Sequence, residues 1–226
     1  MNTNAENSQA ISLFAAQERY MSFSEEEREE IERRLIETAA EKFATYGHRK
    51  TTIADVTDPV GISTGSFYLF FDSKADLVET IVNRERARLL DRFEAELDGV
   101  SDARDGLERL FHTYASFLEE NEFVQGALFE PSLTATVKAL PESELEARLE
   151  FISQFGELLE PLRDADGHTL RDVDVLLLVG VMSTVLLLVS NRELYELYDP
   201  AYYEELKGFH VETIARGLTT EEPPAE

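Results

Sequence analysis

The sequence predicts an all-α protein. Three observations carry that prediction. Apolar residues recur at three- and four-residue spacing through nearly every segment, and Ser or Thr stands at several predicted helix starts with an acidic residue three places on, as in Ser24–Glu27, Thr52–Asp55, Ser73–Asp76 and Ser143–Glu146. No run of alternating apolar and polar residues marks a strand.

The elements follow in order. Residues 1–23 read as an N-terminal extension; Ile11, Leu13, Phe14, Tyr20, Met21 and Phe23 make it apolar enough to pack as an extra helix, and its role stays open. Ser24 and Glu27 form a capping box, Ile31, Leu35, Ile36, Ala39, Ala40 and Phe43 share one face, and Gly47 is the stop. A short helix follows from Thr52, which can cap with Asp55, and Pro59-Val60-Gly61 ends it. Ser63 caps a second short helix through Phe70. Ser73 and Asp76 start a long one carrying Leu77, Ile81, Leu89, Phe93 and Leu97. Further helices are predicted from Asp102 to Glu120, from Glu122 to Glu130, and from a Ser143–Glu146 cap with Leu145, Leu149, Ile152, Phe155 and Leu159 as its stripe. Asp164 to Gly167 is a turn, an apolar helix runs from Arg171 to Leu197, and a last one runs from Pro200 to Gly217. The division is therefore an extension at 1–23, a small domain at 24–76, a larger helical domain at 77–218 and a disordered tail at 219–226.

Charge is the unusual feature of the composition. With 46 acidic and 21 basic residues among 226, the formal net charge is -25, and the acidic residues run along the whole chain. Self-repulsion of that size destabilises a compact state at low ionic strength, and molar salt screens it, so the sequence predicts a salt-rich cytoplasm such as that of an extreme halophile. The window 42–76 departs from this load: Lys42, Arg49, Lys50 and Lys74 balance Asp55, Asp58, Asp72 and Asp76. Local neutrality in so acidic a chain is a footprint for a polyanion. With no cysteine there is no thiolate metal site or disulfide framework. The start shows no basic region followed by an apolar run, and the uncharged stretch Val175 to Asn191 is short for a membrane span, so a cytoplasmic protein without membrane contact is expected.

Residues 51–74, TTIADVTDPVGISTGSFYLFFDSK, are two short helices around a glycine turn, a helix-turn-helix that lays its second helix in the major groove of DNA. Gly61 supplies the positive φ of the turn, Ile62 plugs it, and the small Ser63, Thr64, Gly65 and Ser66 let the second helix approach DNA closely. This stretch resembles the TetR family of repressors. The likeness extends from Ile36-Glu37-Thr38-Ala39-Ala40-Glu41-Lys42-Phe43 and Gly47, through Thr51-Thr52-Ile53, Val56, Gly61-Ile62-Ser63 and Gly65-Ser66-Phe67-Tyr68, to Phe70 or Phe71, Ser73-Lys74 and Leu77. It covers about residues 31–82; the remainder resembles the family only in helical content and length.

The resemblance implies a three-helix DNA-binding domain followed by a helical ligand-binding and dimerisation domain. It implies a homodimer on a palindromic double-stranded operator, repression relieved by a small apolar or amphipathic effector, and no cofactor. Thr52 and Lys74 are then expected to contact phosphate, Ser63, Thr64, Gly65 and Ser66 to face the groove, and Tyr68 to touch phosphate or a base edge. Which of Phe67, Phe70 and Phe71 packs the domain is open. Pro59, Thr57 and Val60 depart from the family pattern and are expected to shorten the first motif helix or to loosen its end. The second helix has no Arg or Lys, so readout rests on hydroxyls, the tyrosine, apolar contacts and DNA shape.

In the larger domain, the helix Arg171 to Leu197 and the helix Tyr202 to Gly217 are the candidates for the dimer interface. Phe111, His112, Tyr114, Phe117, Phe151, Phe155 and Met182 are candidates for an effector pocket, with His112 and Tyr114 as its polar handles. An enzyme is the rival class, and the sequence speaks against it: His48, His112, His168 and His210 are scattered, and no phosphate loop or nucleophile elbow occurs. Asp164-Ala165-Asp166-Gly167 lacks the later ligands of a calcium loop. A ligand-binding or scaffolding protein of the same fold without DNA binding is the remaining alternative.

Overall fold

The computed structural model describes residues 24–129, 142–163, 165, 168–170 and 172–221. The predicted extension at 1–23, the Pro131 stop and the end of the tail lie outside them. Ten helices occur among the described residues: α1 (Glu25–Tyr46), α2 (Ile53–Val60), α3 (Thr64–Phe67), α4 (Lys74–Leu97), α5 (Ala103–Glu120), α6 (Glu122–Phe129), α7 (Glu142–Arg163), α8 (Val175–Ser190), α9 (Arg192–Glu196) and α10 (Tyr202–Leu218). The fold is all-α apart from β1 (His168–Leu170) and β2 (Thr219–Glu221), which pair antiparallel with Leu170 opposite Thr219. None of the described helices is long and apolar enough to cross a membrane.

Two compact units divide the chain. Among the described residues, the first takes those from 24 to Arg84 and Glu122–Phe129, and the second takes Glu85–Asn121 and those from Glu142 on. The boundary thus falls about three helical turns into α4, not at residue 76, because Leu77 and Ile81 belong to the first core. That core joins Leu35, Ile36, Ala39 and Phe43 of α1 to Val56, Val60, Phe67, Phe71, Leu77, Ile81 and Phe123. The predicted caps explain the helix starts. Ser24 and Glu27 exchange hydrogen bonds at 3.2 and 2.8 Å, and Thr52 and Asp55 do the same at 3.2 and 2.8 Å.

In the second unit, α5 packs against α8, α10 and β1. Its N-cap Asp102 does more than cap: one carboxylate oxygen accepts from the N–H groups of Arg104 and Asp105, and the other accepts from His168 N–H at 3.1 Å and from His168 Nδ1 at 2.8 Å. Burial works against ionisation of Asp102, but the bonds from the His168 side chain, Asp105 N–H and His168 N–H outweigh it and lower its pKa to about 2. Beside it, Arg104 donates to Thr219 Oγ1 at 3.3 Å, which anchors β2.

The second unit corrects four expectations. The tail does not begin at 219: Thr219–Glu221 is a strand, invisible to a two-residue periodicity because each partner is only three residues long. The apolar helix is α8 followed by α9, broken where Asn191 donates its side-chain amide to Leu187 carbonyl at 2.7 Å. Helix α7 starts at Glu142, so Ser143 is inside it rather than its cap. Of its predicted stripe, Leu145 and Leu149 are exposed, since burial is concentrated in the C-terminal half at Phe155, Leu159 and Leu162.

Candidate nucleic-acid interface

Helices α2 and α3 are held around Gly61, whose φ of 84° and ψ of 25° place it in the left-handed region. Gly61 and Ile62 both donate to the Thr57 carbonyl, at 3.0 and 3.2 Å. These bonds close the end of α2 despite Pro59, which lacks an N–H of its own. The expected shortening does not occur: α2 runs through Pro59 to Val60, and the Pro59 carbonyl accepts from Arg34 at 3.1 Å. Thr57 is fully buried and its hydroxyl has no hydrogen-bond partner.

The second motif helix is shorter than predicted. Its α-helical part ends at Phe67, and residues 68–70 continue as turns closed by Leu69 N–H to Ser66 carbonyl at 3.1 Å and Phe70 N–H to Phe67 carbonyl at 2.9 Å. Gly65 and Ser66 are weak helix formers, and the helix is sustained by its Ser63 cap and by burial of Phe67. Phe67 and Phe71 enter the core with rings 5.6 Å apart, and Phe70 packs partly against it, which resolves the ambiguity among the three.

The predicted contact residues divide into three groups. Ser63, Thr64 and Tyr68 are exposed, and Gly65 is half-buried. Tyr68, 50% exposed, rests edge-on against the buried Phe67 ring at 5.4 Å, so its hydroxyl projects from a fixed base. Ser66 does not face outward: it is 4% exposed, and its hydroxyl bonds Ser63 Oγ at 2.8 Å. The third group serves the scaffold. Thr52 gives its hydroxyl to Asp55 at 2.7 Å while remaining exposed, and Lys74 donates to the carbonyls of His48 at 2.6 Å and Thr51 at 3.0 Å. An ammonium has three donors, so Lys74 keeps one for another acceptor. Sequence reasoning missed this internal role; the buried Thr51, which bonds the carbonyls of Gly47 and Lys42, is the other half of it.

Residues 35–81, which span this motif, match the family model of bacterial regulatory proteins of the tetR family. The transcriptional repressor KstR2 of Rhodococcus jostii is 31% identical over 145 residues, covering 62% of this chain and 69% of the repressor. The chain belongs to the TetR family. The uncharacterized transcriptional regulator YuxN of Bacillus subtilis is 28% identical to this TetR-family chain over 58% of its length, and the match spans only about half (48%) of YuxN. Among solved structures, FadR of Bacillus subtilis in complex with stearoyl-CoA aligns over 81% of this chain and 97% of its own, with a TM-score of 0.59 and 16% identity. That likeness is one of fold.

The residues expected to form an effector pocket take different positions in the second unit. Phe111, Phe117, Phe155 and Met182 are buried, and Phe155 packs against Phe93 at 5.5 Å and stacks on the half-buried Phe151 at 6.4 Å. Tyr114 is half-buried, and burial pushes its hydroxyl up to about 12. His112 turns outward, onto a groove it shares with Arg92, Glu96, Asp105 and Arg109.

Proposed function

We propose that this TetR-family chain is a sequence-specific DNA-binding transcriptional regulator, a repressor released from a palindromic operator by a small ligand. The observation that carries this reading is a helix-turn-helix with Ser63, Thr64 and Tyr68 exposed and Tyr68 set on a buried aromatic ring, in a window, 42–76, whose charges sum to zero within a chain of net charge -25. Ser63, Thr64 and Gly65 face the groove, Tyr68 takes a phosphate or base edge, and Thr52 and the remaining donor of Lys74 take phosphate. Ser66 acts indirectly, by fixing the Ser63 hydroxyl.

The regulator acts as a homodimer through α8 and α10. These helices expose Leu187 at 59% and Phe209 at 69%, and Leu176 and Leu177 are also exposed on α8, apolar surface suited to self-association. Sedimentation at micromolar concentration tests this, with Leu187→Glu and Phe209→Glu together expected to give monomer. The effector is amphipathic, a reading supported by stearoyl-CoA bound to the similarly folded FadR, and it binds among the aromatic residues of the second unit beside Tyr114. It shifts the dimer toward a state that does not fit the two half-sites; a ligand with equal affinity for both states would release nothing. The setting is a salt-rich cytoplasm, for which the test is a melting temperature that rises between 0.1 and 2 M KCl. Crosslinking in cells followed by sequencing tests the function as a whole: a short palindrome shared by the recovered fragments is expected, and recovery without any common sequence contradicts it.

A further inference from the structure

Lysine is scarce in this chain, with five against sixteen arginines, yet three of the five stand around one threonine: Lys74 bonds it through its ammonium, Lys42 through its backbone carbonyl, and Lys50 precedes it in the chain. Thr51 is buried, its hydroxyl bonds the Lys42 carbonyl at 3.3 Å, and its own carbonyl takes Lys74 Nζ at 3.0 Å. Lys42, Tyr46, Lys50, Thr51 and Asp55 line a cleft of about 330 Å³. Tyr46 is 57% exposed and Lys42 Nζ lies over its ring, 5.8 Å from the centroid. Most of the other described cations already have partners: Arg33, Arg84, Arg88, Arg92 and Lys207, for example, pair with carboxylates. Among the described residues, Lys42 and Lys50 have no carboxylate within 4 Å. The cleft's own carboxylate, Asp55, is engaged at one oxygen by the N–H and hydroxyl of Thr52.

We infer that this cleft is a seat for a DNA backbone phosphate, outside the helix-turn-helix contacts, in which Lys42 and Lys50 supply charge and Tyr46 a wall and a hydroxyl. The inference rests on the DNA-binding reading above. Two compact ammonium groups on long stems suit a tetrahedral anion approached from solvent, and neither must break an ion pair to reach it. Lys50 is exposed, and the cleft borders Thr52 and Asp55 at the start of α2, so a strand passing that helix end would meet it. The seat carries no sequence information. It adds affinity and register to a recognition helix that itself lacks cations.

The test is fluorescence anisotropy of a labelled, mixed-sequence duplex of about 30 base pairs, titrated with the full chain at several KCl concentrations. Wild type is compared with Lys42→Gln/Lys50→Gln and with Tyr46→Phe; Arg148→Gln, an exposed cation of the second unit, controls for net charge. One phosphate contact contributes about 0.9 to the slope of log affinity against log salt, so losing it weakens binding about eightfold at 0.1 M KCl and hardly at all at 1 M. The double variant is expected to show that loss, equally for unrelated sequences, with an unchanged melting temperature and an unaltered Arg148→Gln. An unchanged salt slope in the double variant overturns the seat and leaves DNA binding standing. Absence of any duplex binding by wild type overturns both.

Discussion

Lys74 Nζ donates to the carbonyl oxygen of His48 at 2.6 Å, tying the first turn of α4 to the loop that leaves α1. A second bond from the same ammonium reaches Thr51. The loop before α2 is thus positioned by a residue 23 to 26 places further along the chain. Removing the ammonium leaves two carbonyls without their donor. Lys74→Met should cost about 1.5–3 kcal/mol, read by urea denaturation of the full chain. A loss below about 0.5 kcal/mol would show that solvent replaces Lys74 and that its role is confined to DNA.

Thr57 predicts the opposite sign. Its hydroxyl is buried at 0% exposure with no partner. Thr57→Val keeps the shape and removes the unpaired group, and should stabilise by about 1 kcal/mol. Destabilisation in a thermal melt would mean that the hydroxyl is satisfied in solution.

Asp102 gives the fold an acid limb. Its folded pKa of about 2 lies below the ordinary 3.8, so its contribution is complete above pH about 4 and is lost as pH falls toward 2. With 34% of the side chain exposed, the full shift is discounted for screening to about 1–2 kcal/mol. Asp102→Asn retains a capping oxygen but cannot ionise, and its stability should change less than that of wild type between pH 4 and pH 2. Parallel curves for the two proteins would exclude Asp102 as the group concerned.

Glu119 holds a polar cluster between α5 and α10. It accepts from the Tyr203 hydroxyl and from Lys207 Nζ at 2.8 Å, while Lys207 also reaches Glu204 at 2.9 Å. Burial opposes the charge on both, yet these hydrogen bonds lower the pKa of Glu119 and raise that of Lys207. Glu119→Leu leaves the mostly buried Lys207 ammonium with the exposed Glu204 as its carboxylate partner and should cost about 2–3 kcal/mol, whereas Glu119→Leu with Lys207→Met should recover most of it. A double variant no more stable than the single one would show that packing, not charge, sets the cost.

Much of the architecture was legible from local signals. Ser24–Glu27 and Thr52–Asp55 are capping boxes in both sequence and structure, and Gly61 takes the positive φ that its place in the turn requires. What stayed hidden depends on distant partners. No local pattern announces that Asp102 meets His168, that Lys74 reaches back to Thr51, or that Ser66 turns inward to Ser63. Exposed positions misled in the same way. Leu145 and Leu149 continue the period of a buried stripe, but the first half of α7 presents them to solvent.

If Tyr68 and its neighbours read DNA, binding must depend both on the sequence of the duplex and on the tyrosine ring. Fluorescence anisotropy in molar KCl compares DNA from upstream of the protein's own gene with a scrambled duplex, using wild type and Tyr68→Ala. Saturable binding of wild type to the upstream DNA alone, weakened at least tenfold by the substitution with no loss of melting temperature, is the predicted result. Equal affinity of wild type for both duplexes, or a Tyr68→Ala protein that binds as wild type does, would contradict the account.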